Sequence, residues 1–348
     1  MNPIKINGTL PHVGHAAVSK PALNKAKSIL VDFFIFVKFR AKIRNIKKIP
    51  TFAANLFGMK KTYKVAGNKF SVEMPDDCPY WSFMPQYDLF LDNDSGENVF
   101  DLALVDEIPV IDEHDFVVED NIAPEYPAIR VYDAGDGWVL TFSPRKDMPI
   151  SAYLTTDKYF SKASFCVVQN ANFSVNKIMV VLFVESTAHR NTVLMHSSVT
   201  MHGGKGYLFL GKSGTGKSTH SQLWINNIEK CELLNDDHPA LRVEADGSVR
   251  VYGTPWSGKT PCYRNLNVPI GAIVDLHQAQ ENAIRLLPLS YAYGVIYKSY
   301  SGFRFLKEFA DGHHATVEKI VTTVPCYSLN CLPNAEAAFL CHQTVAQS

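Results

Sequence analysis

Gly211-Lys212-Ser213-Gly214-Thr215-Gly216-Lys217-Ser218, followed by Thr219, fits the pattern G-x-x-x-x-G-K-[ST] at every position. The chemistry served by that spacing is the cradling of a phosphate chain. Glycines at 211, 214 and 216 let successive backbone N–H groups turn inward where side chains would block a ligand. Lys217 is placed to reach β- and γ-phosphates, and the Ser218 hydroxyl to ligate Mg²⁺. An apolar run over 207–210 reads as the strand leading in, and a helix over about 217–229 leads out and adds its N-terminal dipole. The implied ligands are ATP and Mg²⁺.

Mg²⁺ on a triphosphate also calls for a carboxylate at the end of a neighbouring strand. Leu233 and Leu234 read as a buried strand, and Asp236 and Asp237 follow at its carboxyl end, nineteen residues past Lys217. Extended geometry turns adjacent side chains to opposite sides, so one aspartate can face a metal while the other does something else. His196, fifteen residues before Gly211, is a third candidate, since imidazole is both a metal ligand and a proton carrier.

Together these residues resemble the superfamily of HPr kinase/phosphorylase and ATP-dependent phosphoenolpyruvate carboxykinase, strongly over about 196–237 and weakly to the C-terminus. Met195-His196-Ser197-Ser198 ahead of the glycine-rich loop is similar to the carboxykinase run whose His ligates the catalytic metal, and HPr kinases place a His near the phosphates at the same distance. By the same resemblance, Asp236 is the base toward an accepting hydroxyl and Asp237 joins Ser218 as metal ligand. The run 251–259, ending in Lys259, resembles a loop of HPr-kinase-like proteins and could approach substrate. Thr219 stands where HPr kinases usually carry Glu, that family's glycine-rich signature loop is not found downstream, and the carboxykinase's arginine-bearing motifs are not apparent. The resemblance therefore implies a kinase acting on a serine-like small molecule or peptide. A nucleotide-binding regulatory protein without turnover is the alternative, and a carboxykinase-type enzyme a more distant one.

The elements that must position these residues follow from patterning. Alternating runs over 62–74, around Ala66-Gly67-Asn68, and over 129–142, around 134–137, predict hairpins. A helix follows, with Val175, Ile178, Met179, Leu182 and Phe183 on one stripe and Ser174 as its cap. The expected fold is α/β: a P-loop domain of carboxykinase/HPr-kinase type with a mixed sheet over 172–348, a β-rich α+β region over 61–171, and a basic amphipathic arm over 1–60. The arm carries nine Lys/Arg and one acid between Lys20 and Lys48, while thirteen acids and no Lys or Arg lie between Asp88 and Glu125. Docking of the arm on its own chain or a sister subunit is preferred to contact with a membrane surface.

The 348 residues carry 34 Lys+Arg and 34 Asp+Glu with 46% hydrophobic residues, a globular composition that gives no reason to expect nucleic acid as partner. Seven dispersed cysteines without CxxC spacing, no secretory leader pattern and no long apolar run point to reduced thiols and a cytoplasmic setting. A homo-oligomer is compatible with the pattern.

Overall fold

The computed structural model describes residues 58–120, 125–258 and 260–346, which all belong to one compact unit, Ile46–Ser348. The arm expected over 1–60 lies outside the described residues except for 58–60, and so does Lys259.

Two mixed sheets carry the fold. In the first, β1 (Gly58–Val65), β2 (Asn68–Pro75), β3 (Phe100–Leu104), β4 (Phe116–Asp120), β5 (Ala128–Asp133), β6 (Gly137–Ser143), β7 (Ala152–Asp157) and β8 (Lys162–Val167) lie in the order β1-β2-β3-β8-β7-β6-β5-β4. Both expected hairpins are present, as β1–β2 and β5–β6. The first turns through Ala66 and Gly67 at φ 47° and 73°, the left-handed pair of a type I′ hairpin turn. A Cβ at Gly67 would collide with the guanidinium of Arg242 in the second sheet, whose Nη1 donates to the Ala66 carbonyl at 2.8 Å. Acids of the 88–125 stretch meet basic side chains of this sheet and its loops: Lys60 and Lys162 at Asp101, Lys64 at Asp94, Lys146 at Glu119.

The chain then enters helix α1 (Ala171–Ser186). It starts three residues before the expected cap. Asn170, at φ 49°, precedes the first turn, while Ser174 lies inside the helix and donates its hydroxyl to the Gln169 carbonyl at 3.2 Å. Val175, Ile178, Met179, Leu182 and Phe183 are buried in one core cluster with the first sheet.

The second sheet contains β9 (Thr192–Leu194), β10 (Ser197–His202), β11 (Lys205–Leu210), β12 (Glu232–Asp237), β13 (Ala240–Val243), β14 (Val249–Tyr252), β15 (Asn267–Gln278), β16 (Ala283–Leu286) and β17 (Cys326–Cys331). Its order is β12-β10-β11-β15-β14-β13-β9, with β17 pairing β15 and β16. Helix α2 (Lys217–Asn227) and α5 (Ala335–Val345) cover one face, where Trp224, Phe209 and Leu276 share a cluster. Helices α3 (Leu289–Ser299) and α4 (Lys307–Thr323) cover the other, with Leu208, Leu210, Ile296 and Ile320. Among the described residues, no helix is long and apolar enough to cross a membrane.

One buried contact under α2 gives a pH-dependent prediction. Trp224 Nε1 donates to His220 Nε2 at 3.1 Å, and burial pushes the His220 imidazole down to about 4. The native state therefore binds fewer protons here than the unfolded chain does between about pH 6.5 and 4. Stability from this site is complete above that window and is lost as pH falls through it. His220→Gln keeps an acceptor and cannot titrate, so its denaturant midpoint should lose less between pH 7 and pH 5 than the wild type's does. Parallel losses would show that His220 does not contribute.

Candidate functional site

The glycine-rich loop joins β11 to α2 at the carboxyl edge of the second sheet. Gly211, Gly214 and Gly216 adopt φ of 142°, 81° and 109°, values open to glycine and costly to other residues. The loop closes on itself with Thr215 N–H donating to the Lys212 carbonyl at 3.1 Å, and Lys212, Ser213 and Gly214 are exposed at its tip. Gly216 precedes the first turn of α2 and has no side chain to cap it. The amides of that turn are left to an anion, which the helix dipole also favours.

Lys217, Ser218, His196 and both aspartates converge beside this loop. Lys217 Nζ lies 3.0 Å from His196 Nε2 and 3.1 Å from the Gly211 carbonyl. His196 Nδ1 lies 2.9 Å from Asp237 Oδ1, and His238 Nδ1 lies 3.0 Å from Asp237 Oδ2. An ionised carboxylate only accepts, so Nδ1 of His196 carries the proton and Nε2 presents its lone pair to the ammonium. Burial opposes ionisation of Asp237, but hydrogen bonds and charge from His196 and His238 hold its carboxyl well below the usual range. Burial lowers the Lys217 ammonium, against the opposing pull of Asp237 and Asp236.

Ser218 meets Asp236 rather than Asp237: its Oγ donates to Asp236 Oδ1 at 2.9 Å. The two aspartates thus turn to different partners. A hydroxyl and a carboxylate oxygen side by side form a hard donor set that suits Mg²⁺. The ligand atoms of His196, Asp237 and His238 also lie within 4.8 Å of one another, close enough to share a cation.

The split between the aspartates has a backbone cause. Asp237 holds φ 124°, a region few non-glycine residues enter. Its conformation is fixed from the loop after β14: Gly258 N–H donates to the Asp236 carbonyl at 2.6 Å, as does Ser257 Oγ at 3.0 Å. Buried Asn235 ties the same loop down through Thr254 and the Trp256 carbonyl. Trp256 plugs into the core of the first sheet, with Nε1 donating to Tyr87 Oη at 2.7 Å and its ring 4.9 Å from that of Phe183. The loop that bonds the Asp236 carbonyl is thereby anchored on Tyr87 and Phe183. A Cβ at Gly258 would fall 3.1 Å from Asp237 Cβ, so Gly258→Ala should push Asp237 from His196 while the fold persists. Histidine NMR that shows an unchanged His196 environment in Gly258→Ala would refute this coupling.

Lys177 and His238 were not singled out by sequence reasoning. Lys177, half-buried on α1, has its ammonium lowered by burial, with Asp237 and Asp120 pulling the other way. A lone cation among the apolar residues of that helix was the available signal.

No protein-family model matches the chain, and no curated protein matches it. Among solved structures the chain is similar to the HPr(Ser) kinase/phosphatase from Coxiella burnetii, at 13% identity and a TM-score of 0.27, over 44% of this chain and 94% of that one. That is a distant likeness, and the functional reading rests on the geometry of the loop and its neighbours.

Proposed function

We propose that this chain is a P-loop kinase that binds ATP with Mg²⁺ and transfers the γ-phosphoryl group to a hydroxyl of a serine-like small molecule or peptide. The observation that carries the reading is the gathering of Lys217, Ser218, His196, Asp236 and Asp237 at one end of a glycine-rich loop that opens a helix.

The Ser218–Asp236 hydrogen bond supports moving the metal-ligand role that the resemblance gives to Asp237 onto Asp236. Ser218 and Asp236 supply the oxygens that would hold Mg²⁺, which would offset phosphate charge during transfer. Asp237 orients His196, whose Nε2 faces the Lys217 ammonium. With a triphosphate in the loop, Lys217 turns to the β- and γ-oxygens and leaves His196 Nε2 free. The acceptor oxygen then forms its bond to γ-phosphorus as the bond to the leaving ADP oxygen breaks, and its proton passes to Nε2. Asp237 stabilises the resulting imidazolium. With Nδ1 held by Asp237, the Nε2 lone pair is the proton acceptor that faces the reacting group.

Isothermal titration of the full chain tests the donor half. ATP should bind in Mg²⁺ and bind at least about tenfold more weakly with the metal chelated, the loss of one set of charge contacts. Equal binding in both conditions would contradict the assigned metal position.

A further inference from the structure

A second carboxylate–imidazole pair stands on the opposite flank of the glycine-rich loop. β15 runs parallel beside β11, with Asp275 in register with Leu210, the last residue before the loop. His277 Nε2 lies 2.9 Å from Asp275 Oδ2, and residues two apart on a strand share a face. Gln278 donates from Nε2 to the carbonyls of Gly214 and Thr215, each at 3.3 Å. A Cβ added to Gly211 would sit 3.2 Å from the Leu276 carbonyl oxygen. The end of β15 is therefore packed along the loop, and the proposed transfer makes no use of its Asp–His pair.

We infer that Asp275, oriented by His277, accepts hydrogen bonds from the ribose hydroxyls of the bound nucleoside triphosphate. This rests on the phosphate-binding role proposed for the loop. The layout sets the direction. Lysine and serine of such a motif meet the terminal phosphates and the metal, and here Lys217 and Ser218 point to His196 and Asp236, on β10 and β12 or beside them. Those strands lie on one side of β11 and β15 on the other. The terminal phosphate thus sits on the β10 side, and the ester end of the chain leaves on the β15 side, where the sugar follows. Two neighbouring hydroxyls are donors, and a carboxylate has lone pairs for both besides the one His277 occupies. An acid holding ribose hydroxyls is the solution used by dinucleotide-binding folds. Asp275 is 16% exposed and His277 51%, so the pair is held in place yet open to a ligand.

The test compares three Mg²⁺-loaded ligands on the full chain by calorimetry: ATP, 2′,3′-dideoxyATP and inorganic tripolyphosphate. ATP should bind about tenfold or more tightly than the dideoxy analogue, the usual scale for hydrogen bonds to a charged acceptor. Asp275→Ala should bring ATP down to the dideoxy level and leave the dideoxy analogue and tripolyphosphate unchanged. Equal binding of ATP and dideoxyATP by the wild type would overturn the assignment without any variant. So would an equal loss for all three ligands in Asp275→Ala, which would make the pair a brace for the loop. If tripolyphosphate does not bind the wild type at all, the phosphate reading of the loop falls, and the ribose assignment with it.

Discussion

Asp237→Asn is expected to leave ATP binding within a few-fold of wild type and to lower the rate of phosphoryl transfer by about 10⁴, the scale seen when asparagine replaces an orienting aspartate and the imidazole takes the wrong tautomer. The carboxylate accepts a hydrogen bond from His196 Nδ1 and from His238 Nδ1 at once. An amide can turn an N–H toward His196, which moves the ring proton to Nε2 and removes the lone pair that faces the reacting group. Asp236→Asn should give the opposite pattern. Its oxygen is the partner of Ser218, so the Mg²⁺ requirement should rise and nucleotide affinity should fall with it. Measuring ATP affinity and single-turnover rate in both variants separates the two roles, and identical profiles would show that the aspartates do not divide the work.

Lys217→Ala is expected to weaken ATP binding by about a hundredfold, since two charge-assisted contacts to phosphate oxygens are lost together. The ammonium now shared by the Gly211 carbonyl and His196 Nε2 stands where the loop meets its helix, placed to turn to a bound phosphate. Stability should change far less, because Lys217 is only half-buried and its partners can turn to water. Calorimetry on the folded variant checks this, and unchanged ATP affinity would remove the loop from the site.

The loop was legible because its chemistry is local. Three glycines, a lysine and a serine at fixed spacing need only a strand before and a helix after, and β11 and α2 supply them. The hairpin at Ala66-Gly67 was legible for the same reason, since a type I′ turn places both residues at positive φ. His196 and the aspartate pair were found by spacing, yet which aspartate meets Ser218 was not. That depends on the φ of Asp237, on the register shift between Val199 and Thr200 where β10 meets β12, and on a loop held from outside by Trp256 and Tyr87. Residues 87 and 256 are far apart in sequence, and nothing in either segment alone announces their hydrogen bond. Lys177 and the Asp275–His277 pair escaped because helix α1 and the order of strands bring them to the site. The start of α1 was misplaced because Ser174, a good cap by type, spends its hydroxyl on the Gln169 carbonyl inside the first turn.

The most direct test of the central claim is ³¹P NMR of the full-length protein with ATP and Mg²⁺ in the presence of free serine and serine-containing peptides. The account predicts that the γ-phosphate signal of ATP decays as ADP and a phosphomonoester resonance grow together, that both changes need Mg²⁺, and that oxaloacetate yields no phosphoenolpyruvate. ATP that stays intact with every hydroxyl acceptor while binding tightly, or phosphoenolpyruvate formed from oxaloacetate, would contradict it.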